Sequence, residues 1–149
     1  MKITITTDSG CSETEINVKC TRLDDDIEKL LAALRMMDRK LTGYKEGKQY
    51  ILDVRDVVYI DSVDKHTFLY ASDGVFGSSF RLYELESKLS DCDFLRANKN
   101  SIFSMNHLIS IEPDFDRRLI LTLTGNIKLL VSRQYAVNVK ERLEALDEK

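Results

Sequence analysis

A chain of 149 residues with 43% apolar and 32% charged side chains has the composition of a folded, globular protein of one ordinary domain. No apolar run approaches the roughly 20 residues of a membrane-spanning helix, and no secretion signal opens the chain, so we expect a cytoplasmic protein. The net charge of −3 argues mildly against nucleic acid as a partner, because a strong phosphate-binding surface usually shows as excess positive charge.

The first 40 residues are predicted to form a ββα appendage. Apolar and polar residues alternate in two short stretches, as in strands: Ile3 and Ile5 in the first, then Ile16, Val18 and Cys20. The period then changes to that of a helix, with an apolar stripe formed by Ile27, Leu30, Leu31, Leu34 and Met37. Acidic residues precede this stripe and basic residues follow it, as the helix dipole favours. The stripe packs either on its own two strands or on a second copy, which makes the appendage a candidate dimerisation element.

The second predicted unit, residues 41–149, is mainly β. Three two-residue turns separate pairs of short apolar stretches, as in tight hairpins: Glu46-Gly47, Asp73-Gly74 and Gly125-Asn126. Residues 57–60 are apolar throughout, which indicates a strand covered on both faces. We expect two helices here, a short one from near Arg81 and a C-terminal one after Tyr135.

Residues that could carry out a reaction are sparse. The cysteines, Cys11, Cys20 and Cys92, have neither the spacing of a zinc site nor the even count of a disulfide framework, so buried or half-buried free thiols are expected. Phosphate-binding and dinucleotide-binding glycine patterns are missing, and so is the paired-histidine metal motif. Nothing local pairs His66 or His107 with Cys92 as base and nucleophile. We therefore predict no enzyme activity, no metal and no cofactor.

Polar and basic residues collect where predicted strands end. They form three clusters: Asp64-Lys65-His66-Thr67, Arg96-Ala97-Asn98-Lys99-Asn100-Ser101 and Ser132-Arg133-Gln134-Tyr135. Lysine and arginine can pair with phosphates, whereas asparagine and glutamine can pair with base edges or phosphates. Each cluster taken singly is more typical of an ordinary solvated loop. The acidic pairs Asp91/Asp93 and Asp114/Asp116 are interpreted as solvated turns.

Residues 41–147 resemble the LytTR domain, the DNA-binding module of many bacterial response regulators. Residues 94–111 are similar to the family's central signature, in which an aromatic residue, an arginine and a basic residue lead into an apolar strand. Residues 57–62 match an upstream strand that ends in an acid and a small residue, and residues 131–135 resemble the family's V-S-R-x-Y ending. The chain departs from the family at Asn100, Ser104 and Gln134, which alters the sequence preference or abolishes DNA affinity.

The resemblance implies a mainly β fold, an elongated sandwich of small antiparallel sheets with the N-terminal ββα appendage and a C-terminal helix. It further implies that loops on one side enter successive major grooves of double-stranded DNA. The implied DNA-binding residues are Lys65, His66, Thr67, Arg96, Asn98, Lys99, Asn100, Arg133 and Gln134.

Roles for these residues follow from their chemistry. Lysine and arginine contact phosphates or read guanine, and asparagine and glutamine suit adenine. Arg96 either contacts phosphate or braces its loop, and His66 either donates to a base edge or is an ordinary polar residue at a strand start. His107 is interpreted as structural.

The subgroup that the chain resembles consists of stand-alone regulators without a receiver domain, often encoded beside a small membrane protein that restrains them. This implies a homodimer, a membrane protein inhibitor as a further partner, and no small-molecule substrate. Two functions remain open: a sequence-specific transcription regulator, or a protein-interaction module of the same fold that has lost DNA affinity and titrates a membrane or protein partner. A DNA binder places Lys65, Arg96, Lys99 and Arg133 on one face with the acids elsewhere, whereas a non-binder scatters the basic residues.

Overall fold

The computed structural model describes residues 1–147, apart from the side chains of Asp38 and Asp147. Three α-helices, four short 3-10 helices and ten strands make up the regular structure of this part of the chain. The helices are α1 (Asp25–Asp38), α2 (Leu82–Lys88) and α3 (Arg133–Asp147). The strands are β1 (Lys40–Lys45), β2 (Lys48–Asp53), β3 (Val57–Val63), β4 (His66–Ala71), β5 (Gly74–Ser78), β6 (Phe94–Asn98), β7 (Ser101–Ser104), β8 (Leu108–Pro113), β9 (Leu119–Leu123) and β10 (Ile127–Val131).

Two antiparallel sheets confirm the mainly β fold class. The larger sheet has seven strands in the order β2-β1-β5-β4-β3-β7-β6, and the smaller has three in the order β10-β9-β8. The three hairpins predicted from their turn residues are confirmed as β1–β2, β4–β5 and β9–β10. Positive φ angles at Glu46, Gly47, Gly125 and Asn126 show why glycine, or a residue that tolerates the left-handed region, stands in two of these turns.

The core lies on both faces of the seven-stranded sheet. One face packs against α1 and α2 through residues such as Ile60, Leu69 and Leu85. The other face packs against the three-stranded sheet and α3, with Phe103 and Val139 fully buried. Neighbouring residues of β3 and β7 therefore enter different clusters, as expected of strands that are covered on both sides.

The predicted N-terminal strands are wrong: residues 1–24 contain no strand. The side chains that suggested them stay in solvent, with Ile3 76% and Ile5 89% exposed. A two-stranded hairpin is marginal in water unless its apolar face packs on another element, and nothing in residues 25–147 covers this one. The alternation of apolar and polar residues predicted strands here, but the part of the chain that the structure describes offers no surface on which their apolar side chains could be buried.

The predicted α1 is confirmed, and Asp24 caps it by accepting a hydrogen bond from the main-chain nitrogen of Ile27. Its buried side differs from the predicted stripe, because Ala32 and Met36 are buried whereas Met37 is 56% exposed. Met36 belongs to the core cluster that α1 and α2 share with the large sheet. The helix is thus packed on the β unit, and the predicted boundary between residues 40 and 41 stays a prediction.

Arg39 fastens the end of α1 to the turn after α2. Its guanidinium donates to the carbonyl oxygen of Lys88 at 2.7 Å and to the carboxylate of Asp91 at 2.9 Å. Partial burial raises the pKa of Asp91, but the hydrogen bond and charge of Arg39 outweigh it, so the net effect is a lowered pKa. No helix within residues 1–147 is long and apolar enough to span a membrane.

Candidate nucleic-acid interface

The first polar cluster forms the turn between β3 and β4. Asp64 and Lys65 both have positive φ angles (50° and 67°), and Val63 pairs with His66 across the turn. Lys65 and His66 are exposed. Thr67 points the other way and is only 3% exposed, because alternate residues of a strand face opposite sides. The turn therefore presents a lysine and a histidine, but not the predicted threonine.

The second cluster forms the turn between β6 and β7, directly beside the first. Strand β7 pairs with β3, so that Asp61 lies opposite Ser101. The main-chain nitrogen of Ser62 donates to the carbonyl oxygen of Asn100 at 2.8 Å, and the Ser101 hydroxyl donates to Asp61 at 3.0 Å. Lys99 and Asn100 are exposed. These bonds hold the two turns at one end of the large sheet.

The third cluster joins β10 to α3 and meets the second. The main-chain nitrogen of Ser132 donates to the carbonyl oxygen of Ala97 at 3.0 Å. The Asn98 side-chain nitrogen donates to the carbonyl oxygen of Leu130 at 2.8 Å. Arg133 and Gln134 follow as the first two residues of α3, and both are exposed. The positive end of the helix dipole lies at the same place and favours anions. All three predicted clusters are therefore brought together.

Two predicted contact residues, Arg96 and Asn98, use their polar groups in hydrogen bonds within the protein. Asn98 also accepts a hydrogen bond from the main-chain nitrogen of Asn100 at 2.9 Å, so both ends of its amide are used. Arg96 donates to the carbonyl oxygen of Lys99 and to the carboxylate of Glu86, each at 2.8 Å, and its side chain is only 16% exposed. These are the contacts of residues that brace a turn.

The charges at this end are mixed. Lys65, Lys99 and Arg133 are exposed there together, which is the part of the pattern expected of a DNA binder that the structure shows, whereas Arg96 is engaged within the protein. Acids share the end, since Asp64 lies in the first turn and a carboxylate oxygen of Asp116 lies 3.6 Å from Nη1 of Arg133. The ion pair with Asp116 was missed because the sequence placed that residue in an ordinary solvated turn.

Elsewhere within residues 1–147 no reactive group of side chains is found. Cys92 is buried and burial raises the pKa of its thiol, whereas Cys11 and Cys20 are exposed, contrary to expectation. The exposure of Cys20 follows from the absence of the predicted second strand, whereas Cys11 lies between the two predicted strands. His107 is structural as predicted: Nε2 donates to the carbonyl oxygen of Arg55 at 2.7 Å, and Nδ1 lies 3.0 Å from the Thr124 hydroxyl. No group of three or more potential metal ligands occurs in the part of the chain that the structure describes.

Comparison with known proteins identifies the domain. A family profile described as the LytTr DNA-binding domain matches residues 47–144. The chain belongs to the LytTR family. This family is a class of DNA-binding domains and not of enzymes. The LytTr DNA-binding domain of a protein described as a methyl-accepting/DNA response regulator from Bacillus cereus has a similar fold, with a TM-score of 0.67 and 24% identity. That similarity covers 70% of this chain and 95% of the solved one.

Two further relatives match the chain over different lengths. An uncharacterised HTH-type transcriptional regulator of Staphylococcus aureus (strain NCTC 8325 / PS 47) is 26% identical over 153 residues, covering 96% of this chain and 98% of the relative. The sensory transduction protein LytT of Bacillus subtilis (strain 168) is 30% identical over 93 residues, covering 62% of this chain but 39% of LytT. Within residues 1–147 no two α-helices follow one another along the chain, so these residues contain no helix-turn-helix.

Proposed function

We propose that this LytTR protein is a sequence-specific DNA-binding transcription regulator that inserts the loops at one end of its sheets into successive major grooves. The observation that carries the proposal is the hydrogen bonding that joins the three clusters, partly through the strands that lead into them. Ser62 binds Asn100, and Asn98 binds the strand that leads to Arg133. Three basic side chains distant in sequence thereby share one exposed end, which is how a β scaffold can address several phosphates at once.

Six of the nine predicted contact residues are exposed and are proposed to touch DNA: Lys65, His66, Lys99, Asn100, Arg133 and Gln134. Lysine and arginine neutralise phosphates or read guanine, whereas asparagine and glutamine suit adenine. The other three predicted contact residues support the interface from within the protein. Arg96 and Asn98 hold the β6–β7 turn through internal hydrogen bonds, and Thr67 is buried beneath the β3–β4 turn.

Selection from a pool of randomised duplexes tests the proposal. The full chain is used to enrich duplexes at near-physiological salt, and the recovered sequence is titrated by fluorescence anisotropy beside a scrambled duplex. We expect tight, salt-sensitive binding that prefers the recovered sequence, with a log–log salt slope of roughly −4 to −5 if about five basic side chains engage phosphates. Failure to enrich any sequence, together with equally weak binding to both duplexes, would refute sequence-specific recognition.

Alanine substitutions then test the site. Lys99→Ala and Arg133→Ala should each weaken binding by roughly 1–3 kcal/mol, because each removes an exposed cation from the proposed interface. Lys48→Ala is a matched control, since Lys48 is exposed in the β1–β2 hairpin, away from the three clusters. A double Lys99/Arg133 variant that binds at full strength would show that these clusters are not the interface.

The competing function is a protein-interaction module of the same fold. Its support is the net charge of −3 and the presence of Asp64 and Asp116 among the basic residues. In the selection experiment this function predicts weak binding to every duplex at physiological salt. That outcome would direct the search to a protein partner, including the restraining membrane protein that the family resemblance suggests.

A homodimer is part of the proposal. Residues 1–24 expose Ile3, Ile5 and Ile16, and the alignment with the S. aureus regulator extends into this segment. Two copies of the segment would bury apolar side chains that one copy leaves in water, and a dimer suits a site of repeated half-sites. Sedimentation at micromolar concentration should show a dimer that Ile3→Ser/Ile5→Ser converts to monomer. A monomeric wild-type chain would refute it.

A further inference from the structure

The turn between β8 and β9 lies at the same end as the three polar clusters. Pro113 of β8 pairs with Leu119 of β9, and Leu119 pairs with Val131 at the end of β10. The segment between Pro113 and Leu119 is therefore next to the start of α3. It is a fourth segment beside the proposed DNA interface, and the sequence patterns did not include it.

Contacts within this turn stabilise its conformation. Asp116 and Arg117 have left-handed φ angles of 60° and 63°, a conformation that most residues avoid. Arg118 supports it from below, donating from Nε to the carbonyl oxygen of Phe115 at 3.1 Å and pairing with Asp114 at 3.2 Å. The side chains at the tip of the turn are in solvent: Asp116 and Arg117 are exposed, and Phe115 is 82% exposed.

Asp116 points from this tip to the guanidinium of Arg133. The separation of 3.6 Å makes an ion pair, and both side chains remain more than half exposed. An arginine that reads guanine must present its planar fork in one orientation, whereas contact with a phosphate needs only the positive charge. A carboxylate beside Arg133 thus restricts the fork and also repels phosphates that approach without a matching base.

We propose that the β8–β9 turn is a fourth element of the DNA interface, in which Asp116 is a positioning residue that orients Arg133 toward a base edge and weakens binding to phosphates alone. The inference rests on the proposed DNA-binding function. It assigns to Asp116 an effect on sequence preference that is opposite in sign to its effect on overall affinity.

Asp116→Asn tests the proposal. Asparagine has the same shape and tolerates the left-handed backbone, so the turn keeps its conformation while the negative charge is lost. We expect affinity for the scrambled duplex to rise and the preference for the selected duplex over the scrambled one to fall roughly two- to fivefold, the range of an exposed ion pair. Asp73→Asn removes the same charge from the β4–β5 turn, at the other end of β4 from Lys65, and should change neither quantity.

The second arm repeats Asp116→Asn in an Arg133→Gln background. If Asp116 acts through Arg133, it no longer changes the preference there. The proposal is overturned if Asp116→Asn leaves the preference unchanged, including when both affinities rise equally, or if its effect on preference persists without Arg133. A wild-type chain that does not distinguish the two duplexes is a separate result: it refutes the proposed function itself.

Discussion

The side-chain amide of Asn98 donates to the carbonyl oxygen of Leu130 at 2.8 Å, a contact between residues 32 positions apart. The same side chain accepts from the main-chain nitrogen of Asn100 at 2.9 Å. One amide therefore fixes the turn that carries Lys99 and ties it to the strand that leads to Arg133. Its effect on DNA binding should come through the geometry of the interface.

Asn98→Ala should weaken DNA binding without removing a phosphate contact. Loss of two hydrogen bonds should lower the free energy of unfolding by about 1–2 kcal/mol and affinity by roughly 2- to 10-fold. The salt dependence of binding should keep its slope, whereas Lys99→Ala should reduce that slope by about one unit. Chemical denaturation and anisotropy titrations at several salt concentrations measure these quantities. A drop in slope on Asn98→Ala would instead assign Asn98 to the DNA surface.

Much of the fold followed from local signals, since a two-residue turn with glycine fixes its own hairpin. The three clusters were also found from the sequence, because polar residues at strand ends and the LytTR pattern mark them. What escaped prediction depends on distant partners. The bond from Asn98 to Leu130 and the pairing of Asp116 with Arg133 join residues 32 and 17 positions apart. The prediction of N-terminal strands was wrong for a related reason, because the alternation of apolar and polar residues does not show whether another element is present to cover the apolar side.

The role of Arg96 can be decided by removing its partner. Arg96 donates to Glu86 and to the carbonyl oxygen of Lys99, each at 2.8 Å. If Arg96 braces the turn, Glu86→Ala should weaken DNA binding about two- to fivefold, because an ion pair that holds the brace is lost. If Arg96 contacts phosphate, the same change removes a nearby acid, frees the guanidinium and strengthens binding.

Anisotropy titration of Glu86→Ala shows directly whether DNA binding becomes weaker or stronger. Glu84→Ala serves as the control for placing an alanine in α2, although Glu84 accepts from the main-chain nitrogen of Arg81 and its loss should lower stability slightly. Tighter binding by Glu86→Ala alone would show that Arg96 reaches the DNA and that bracing is not its main role.

The three thiols should divide into two classes. Cys11 and Cys20 are exposed, whereas Cys92 has no accessible surface and burial raises the pKa of its thiol. Since the thiolate is the reactive form, Ellman's reagent should titrate two thiols quickly in the folded protein and the third only on unfolding. Cys92→Ala should remove the slow class and leave the fast one. Three fast thiols in the wild-type chain would contradict the burial of Cys92.

The ion pair between Arg39 and Asp91 should make α1 docking depend on pH. The folded-state pKa of Asp91 is lowered, so its stabilising contribution is fully present above the unfolded pKa of about 4 and is lost as the pH falls through the folded value. Both side chains are more than one-third exposed, so the contribution should be under about 1 kcal/mol.

Asp91→Asn measures this contribution when the free energy of unfolding is compared with wild type from pH 7 to pH 3. The wild-type chain should be the more stable at neutral pH, and the difference should shrink once the pH drops below about 4. Asp73→Asn, in an exposed turn, should track wild type throughout. A difference that stays constant to pH 3 would show that the contribution of Asp91 does not depend on its charge, because asparagine would then be deficient even against a protonated carboxyl.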